Sequence, residues 1–100
     1  MYVVIFRSTR SIEHSDLYSE WSEKMEQLVA CDPGYQSHFS FRDKETGEGV
    51  TVSYFDSEDS VTRWHQNTEH AEAQELGKTH FYQSFGVEVA EIKRHYKWRK

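Results

Sequence analysis

Six histidines, three tryptophans and an arginine closing an apolar run are the side chains with which this 100-residue chain could do chemistry. Arg7 ends the stretch Val3-Val4-Ile5-Phe6. A guanidinium on such a strand must be paired or stand beside a solvent-filled cavity. It therefore serves either a structural ion pair or an anionic ligand such as a phenolate. His70 stands near a predicted helix start, where it either packs locally or faces a ligand. Imidazole titrates near neutral pH and suits the removal or acceptance of a proton. Trp64 lies on an apolar helical stripe, as core or as pocket wall. Phe39, Tyr54, Phe81 and Tyr82, with Trp21 and Phe41, supply further walls for a flat aromatic molecule. His80 is a further polar candidate, and His38, opposite the Phe39 side of its strand, is a candidate for facing a partner.

Other chemistries lack their residues. Gly47-Glu48-Gly49 has neither the third glycine nor the strand-to-helix setting of a nucleotide loop. There is no Gly-x-Ser-x-Gly and no His-Glu-x-x-His. The single cysteine, Cys31, permits no intrachain disulfide and no Cys-rich metal site. Its neighbour Asp32 is unsuited to activating a thiol, so Cys31 reads as inert. His65 and His70 are five apart and do not share a helix face. No metal site is expected.

These residues must be positioned by one small domain covering 1–100. A chain of this size buries roughly two thirds of its unfolded surface. Hydrophobic residues are 36% and charged residues 29%, and aromatics at 15% must carry much of the core. No stretch approaches the ~20 apolar residues of a membrane helix. The N-terminus lacks the basic leader and cleavage site of a signal peptide, so a cytoplasmic protein without a membrane partner is the expectation. The net charge of −5 is uneven. Residues 1–92 hold seven Lys and Arg against all 17 Asp and Glu, a net of −10, while residues 93–100 carry five basic residues and no acid. An acidic body repels phosphate backbones, so no nucleic-acid partner is expected. The basic tail reads as a solvated end or as a segment that pairs with the acidic surface of a second copy.

Residues 2–8 form a predicted strand that is apolar on both faces. Ile12 to Ala30 carries a helical stripe at Leu17, Tyr18, Trp21, Met25, Leu28 and Val29, capped by Ser11 and stopped at Asp32-Pro33-Gly34. Tyr35 to Arg42 alternates, with Tyr35, Ser37, Phe39 and Phe41 on one side. A charged hairpin over 43–49 leads to a third strand, Val50 to Phe55. Asp56 or Ser57 caps a second helix bearing Val61 and Trp64. Asn67-Thr68 is expected to interrupt it and to cap a further helix from His70 to about Gly77. Tyr82 to Tyr96 reads as a last strand whose apolar face changes between Val87/Val89 and Ala90/Ile92, the mark of a bulge or a change of partner. The order β-α-β-β-α-β predicts a ferredoxin-like α+β fold, a four-stranded antiparallel sheet with its helices on one face. Strands one and four are apolar on the other face too, which predicts a homodimer through the sheet faces.

The run Tyr54-Phe55-Asp56-Ser57-Glu58-Asp59-Ser60-Val61-Thr62-Arg63-Trp64-His65-Gln66-Asn67-Thr68-Glu69-His70-Ala71-Glu72-Ala73-Gln74 resembles the antibiotic biosynthesis monooxygenase family of dimeric α+β barrel proteins. Its marks are an aromatic-acidic strand end, a capped helix with Trp, and Glu-His-Ala-x-Ala-Gln. The opening Val-Ile-Phe-Arg-Ser-x-Arg and the closing Phe-Tyr-x-Ser-Phe-x-Val-x-Val-Ala-x-Ile are similar to the same family, so the resemblance covers nearly the whole chain.

The resemblance implies three readings. The first is a small cofactor-independent monooxygenase acting on an aromatic or quinone-like metabolite, with His70 and Arg7 as candidate catalytic residues and Trp64, Phe39, Tyr54, Phe81 and Tyr82 as candidate substrate contacts. The second is a non-catalytic small-molecule-binding or stress-related protein on the same scaffold. The third is a haem-binding or haem-degrading protein. That branch uses an Asn on the first strand, a Trp on the second helix and an iron-binding His further on. Trp64 matches, but Arg7 or Ser8 stands where Asn is wanted and Gln74 where His is wanted. Haem is therefore disfavoured, and no cofactor is expected.

Overall fold

Tyr2–Arg10 (β1), Tyr35–Arg42 (β2), Glu48–Phe55 (β3) and Tyr82–Glu91 (β4) form one antiparallel sheet in the order β2-β3-β1-β4. The computed structural model describes residues 1–10, 23–24, 26–70 and 82–100, with the backbone alone for 67–70. Residues 26–30 are helical and stand between β1 and β2; a second helix, Glu58–His70, stands between β3 and β4. This is the expected ferredoxin-like α+β arrangement.

Register divides the side chains between two faces, because paired residues of an antiparallel ladder point the same way. Val4 lies between Ser53 and Val89, and Phe6 between Thr51 and Val87. This face carries the core of Val4, Val29, Phe55 and Val61, against which Tyr2, Tyr35 and Trp64 pack. Val29 and Val61 come from the two helical segments, so both cover the same face. The other face presents Val3, Ile5 and Arg7 of β1, Val50, Val52 and Tyr54 of β3, Phe39 and Phe41 of β2, and Ala90 of β4. Phe41 on this open face is 71% exposed. The two-sided apolar pattern of β1 thus has a core on one side and a second apolar sheet surface on the other.

Three expectations change. Tyr35 does not share the face of Phe39 and Phe41. The β2–β3 register shifts between Tyr35 and Ser37, and this bulge turns Tyr35 toward the core, where its ring meets Phe55 at 6.2 Å. The Glu58–His70 helix runs through Asn67-Thr68 without a break. Neither residue is Gly or Pro, and each costs a helix only ~0.7 kcal/mol or less, which the preceding turns outweigh. The last strand ends at Glu91 rather than Tyr96. β4 is an edge strand whose one neighbour, β1, begins at Tyr2, and Ile92 N–H to Met1 C=O (2.9 Å) is the last ladder bond available. The β1–β4 irregularity lies at Thr9/Arg10 rather than between Val89 and Ala90. The helical stripe from Leu17 to Met25, and the further helix expected to run to Gly77, lie outside the described residues.

Candidate functional site

The Glu58–His70 helix places Trp64, and its start is fixed by a polar cluster. Ser57 Oγ accepts from the Ser60 backbone N–H (3.2 Å), an N-cap, and Glu58 and Asp59 lie in the first turn where the helix dipole favours negative charge. Ser60, fully buried, donates through Oγ to Asp56 Oδ1 (3.1 Å). Arg63 donates through Nη2 to Ser60 Oγ (2.8 Å) and through Nε to Asp32 Oδ2 (3.1 Å). The Arg63 hydrogen bond holds the Asp32 carboxyl below its ordinary range, helped by the Gly34 N–H that donates to Oδ1 (2.8 Å). Gly34 is required here: a Cβ at this position would stand 1.7 Å from Ser60 Oγ. The start of β2 is thereby locked to the first turns of the helix.

One turn on from Ser60, Trp64 sits half-buried, with its ring 6.4 Å from fully buried Phe55 and 6.4 Å from His65. Phe55 and Val61 fill the space behind it. Further along β1 the same face carries a second aromatic group. Phe6 meets Tyr82 edge-on at 5.5 Å and Phe85 in a stack at 5.6 Å, while Tyr82 and Phe85 are 5.9 Å apart. Val87 and Val89, beside Phe6 and Val4, keep 40% and 50% of their surface accessible although they lie on the helix-bearing face. The result is an apolar, aromatic floor that the core does not close.

The sequence-predicted site residues fall on two sides of the sheet. Trp64 and Tyr82 belong to the helix-covered side. Arg7, Phe39 and Tyr54 belong to the open side. Arg7 is an exposed side chain with Nε 3.9 Å from Glu88 Oε1. With Thr9, Phe41, Val50, Ser84 and Gly86 it lines a shallow depression of about 770 Å³ on that open face. Phe81, Trp21, His80 and Gln74 lie outside the described residues, as does the side chain of His70. Cys31 is exposed. Among the described residues no group of three or more His, Cys, Asp or Glu is placed to hold a metal ion, and no helix is long and apolar enough to cross a membrane.

The structure adds polar contacts that periodicity alone did not show, and it places His38, expected to face a partner, on the helix-bearing face with Val4 and Ser53. Tyr35 Oη is hydrogen-bonded to His38 Nδ1, and His38 Nε2 lies 3.6 Å from Glu26 Oε1. The i, i+3 spacing of Tyr35 and His38 reaches this contact only because the bulge turns Tyr35 inward. Arg42 donates to Ser8 Oγ (2.8 Å) and to the Gly47 carbonyl (2.6 Å), tying β2 to β1 across β3. Ser8, the buried, helix-side neighbour of Arg7, thus has its hydroxyl engaged with Arg42.

Comparisons with known proteins agree with this fold. The family model for antibiotic biosynthesis monooxygenases matches residues 1–76. An uncharacterized protein of Bacillus subtilis strain 168, YqjZ, is 42% identical over 93 residues, covering 93% of this chain and 80% of YqjZ. A crystal structure of SnoaB, a cofactor-independent oxygenase from Streptomyces nogalater, superposes with a TM-score of 0.76 at 10% identity, covering 94% of each chain. A Deinococcus radiodurans protein superposes over the whole of both chains with a TM-score of 0.79 at 12% identity. The likeness to solved structures is one of fold; the match of the family model over three quarters of the sequence goes further, and by it the chain belongs to the antibiotic biosynthesis monooxygenase family.

Proposed function

We propose that this protein is a cofactor-independent monooxygenase that oxidises an aromatic or quinone-like metabolite on the helix-covered face of the sheet. The observation that carries the reading is the aromatic floor of Phe6, Tyr82 and Phe85 with Val87 and Val89 left accessible beside it. Trp64 and Tyr82 are its walls, Phe81 is a further candidate contact by its place in the sequence next to Tyr82, and His70, toward the end of the Trp64 helix, accepts the proton. SnoaB supports the reading as a cofactor-independent oxygenase of the same fold.

The chemistry asks little of the protein beyond this. A phenolic substrate with an acidic ring CH₂ loses a proton to the base and becomes a delocalised carbanion. The carbanion passes one electron to O₂, the two radicals join as a hydroperoxide, and loss of water leaves a carbonyl. One oxygen atom enters the product and the other leaves as water. The CH₂ group supplies all four electrons, so no external reductant is needed. An apolar, aromatic floor suits such a flat substrate.

In this reading two copies pair through their open faces. That pairing covers Phe39, Phe41 and Tyr54 and encloses the Arg7–Glu88 ion pair at the interface. The reading is tested by oxygen uptake with anthrone-type phenols and hydroquinones, using protein freed of metal and flavin. Catalysed uptake supports the oxygenase; saturable binding of the same compounds without uptake supports a non-catalytic binding protein on this scaffold. Haem takes no part in the proposal, since Arg7 or Ser8 stands where the haem-degrading branch wants Asn and Gln74 where it wants His. Hemin titration should show no tight, histidine-ligated spectrum.

A further inference from the structure

We infer that Tyr35, His38 and Glu26 form a one-electron relay that restores Trp64 when oxygen chemistry oxidises its indole. The inference rests on the oxygenase reading for its source of oxidant, and on the contacts around Phe55 and His38 for its path. Trp64 stands 6.4 Å from Phe55, ring centre to ring centre, and Phe55 stands 6.2 Å from Tyr35, so one ring separates the indole from the phenol. Phe55 is fully buried, and Tyr35 and Trp64 both pack against the core to which it belongs. The Tyr35 hydroxyl is hydrogen-bonded to His38 Nδ1, and His38 Nε2 lies 3.6 Å from Glu26 Oε1. The carboxylate favours the tautomer with its proton on Nε2, which leaves Nδ1 as the acceptor for the phenol proton. A phenol gives up an electron readily only when its proton leaves with it, and imidazole is suited to take that proton near neutral pH. β2 is an edge strand and His38 keeps 24% of its side chain exposed, so the relay ends where a dissolved reductant can reach it.

Each step balances. A substrate-derived peroxyl radical that escapes recombination takes one electron from Trp64 and becomes a hydroperoxide anion, leaving an indole radical cation. Tyr35 returns one electron to Trp64 across Phe55, and its hydroxyl proton crosses to His38 Nδ1. The products are intact Trp64, a neutral tyrosyl radical and an imidazolium whose charge the Glu26 carboxylate favours. A small-molecule thiolate then gives one electron to the tyrosyl radical, His38 hands the proton back, and a thiyl radical diffuses away. Two other tyrosines are worse placed. Tyr2 packs against the same core, but Glu91 holds its hydroxyl above the ordinary pKa and so opposes loss of the proton. Tyr54 lies on the opposite face of the sheet, in register with Val3.

Pulse radiolysis tests the inference without substrate or turnover. Azide radicals oxidise tryptophan in the full chain, and the tryptophanyl and tyrosyl radicals are followed by their separate absorbance bands. A background of Tyr96→Phe with Trp98→Phe removes the radical-forming side chains of the two most exposed rings. In that background the tyrosyl signal should grow as the tryptophanyl signal decays, at a rate independent of protein concentration and slower in D₂O. Tyr35→Phe keeps the ring against Phe55 and should slow the transfer at least fivefold. His38→Gln keeps the phenol, removes the base, and should slow it as much. Trp64→Phe should remove the phase that depends on Tyr35, and Tyr2→Phe should change nothing. Unchanged kinetics in Tyr35→Phe or in His38→Gln would overturn the relay, as would slowing by Tyr2→Phe alone or a Tyr35-dependent phase that persists in Trp64→Phe. Transfer through Tyr35 in a protein that takes up no oxygen with phenols would support the electron path and remove the oxygenase reading. Oxygen uptake without that transfer would overturn the relay and leave the oxygenase intact.

Discussion

Arg63 grips Asp32 through two contacts, Nε to Oδ2 at 3.1 Å and Nη2 to Oδ1 at 3.2 Å, and so joins the helix that carries Trp64 to the turn before β2. The pair has a consequence for stability against pH. Asp32 titrates below its ordinary value when folded, chiefly through the Arg63 hydrogen bond. Its contribution is therefore fully present above the unfolded carboxyl value of roughly 4 and is lost as pH falls through the lower folded value. Melting temperatures of the wild type and Asp32→Asn should differ at pH 6 and converge toward pH 2–3. A constant gap across that range would mean that the pair does not set the acid limb.

Gly34 should tolerate no side chain. A Cβ there would overlap Ser60 Oγ and stand 2.4 Å from Asp56 Oδ1, and both belong to the network that starts the helix. Gly34→Ala should cost about 1–3 kcal/mol, the range for overpacking a filled site. Chemical denaturation measures it, and an unchanged midpoint would show that the helix start moves aside freely.

Trp64 separates a structural role from a functional one. Its ring rests on Phe55 but stays half-buried. Trp64→Phe should cost no more than ~1–2 kcal/mol, below the roughly 3–5 kcal/mol typical of truncating a core aromatic to Ala. Binding or turnover of aromatic phenols should fall at least tenfold. A large drop in melting temperature with ligand affinity unchanged would make the residue core alone.

The open sheet face gives a cleaner mutational test, because Phe41 contributes little to the core of its own chain. At 71% exposure, Phe41→Glu should leave the circular dichroism spectrum and the folded state intact. It should place a charge in the proposed interface, an unfavourable burial. The variant should sediment near the monomer mass of 11.9 kDa. A dimer as strong as that of the wild type would place the interface elsewhere.

The elements and their order were legible because period-two and helical stripes are long in this chain. The span of β2, Tyr35–Arg42, follows directly from its alternation. The inward turn of Tyr35 was not legible, because a bulge leaves the residue types unchanged and alters only their facing. The end of β4 was hidden for a related reason. Residues 93–96 continue an extended pattern, but a strand ends where its neighbour ends, and that depends on the register with Met1. The candidate site shows the same limit. Residue types pointed to Arg7, Phe39, Tyr54, Trp64 and Tyr82, yet only sheet parity separates the first three from the last two. The Tyr35–His38–Glu26 chain of contacts, built by the bulge and by the end of a preceding helix, carries no local sequence signal at all.

The most direct test of the account is stoichiometric oxygen uptake. Purified protein, treated with chelator and shown to be free of flavin, is mixed with an anthrone-type phenol in an oxygen electrode cell, and the product is followed by absorbance. The account predicts catalysed uptake of one O₂ per carbonyl formed, insensitive to chelator and reduced at least tenfold in Trp64→Phe at a nearly unchanged melting temperature. Uptake no faster than in buffer across anthrones, naphthols and hydroquinones, or uptake that needs added metal or flavin, would contradict it.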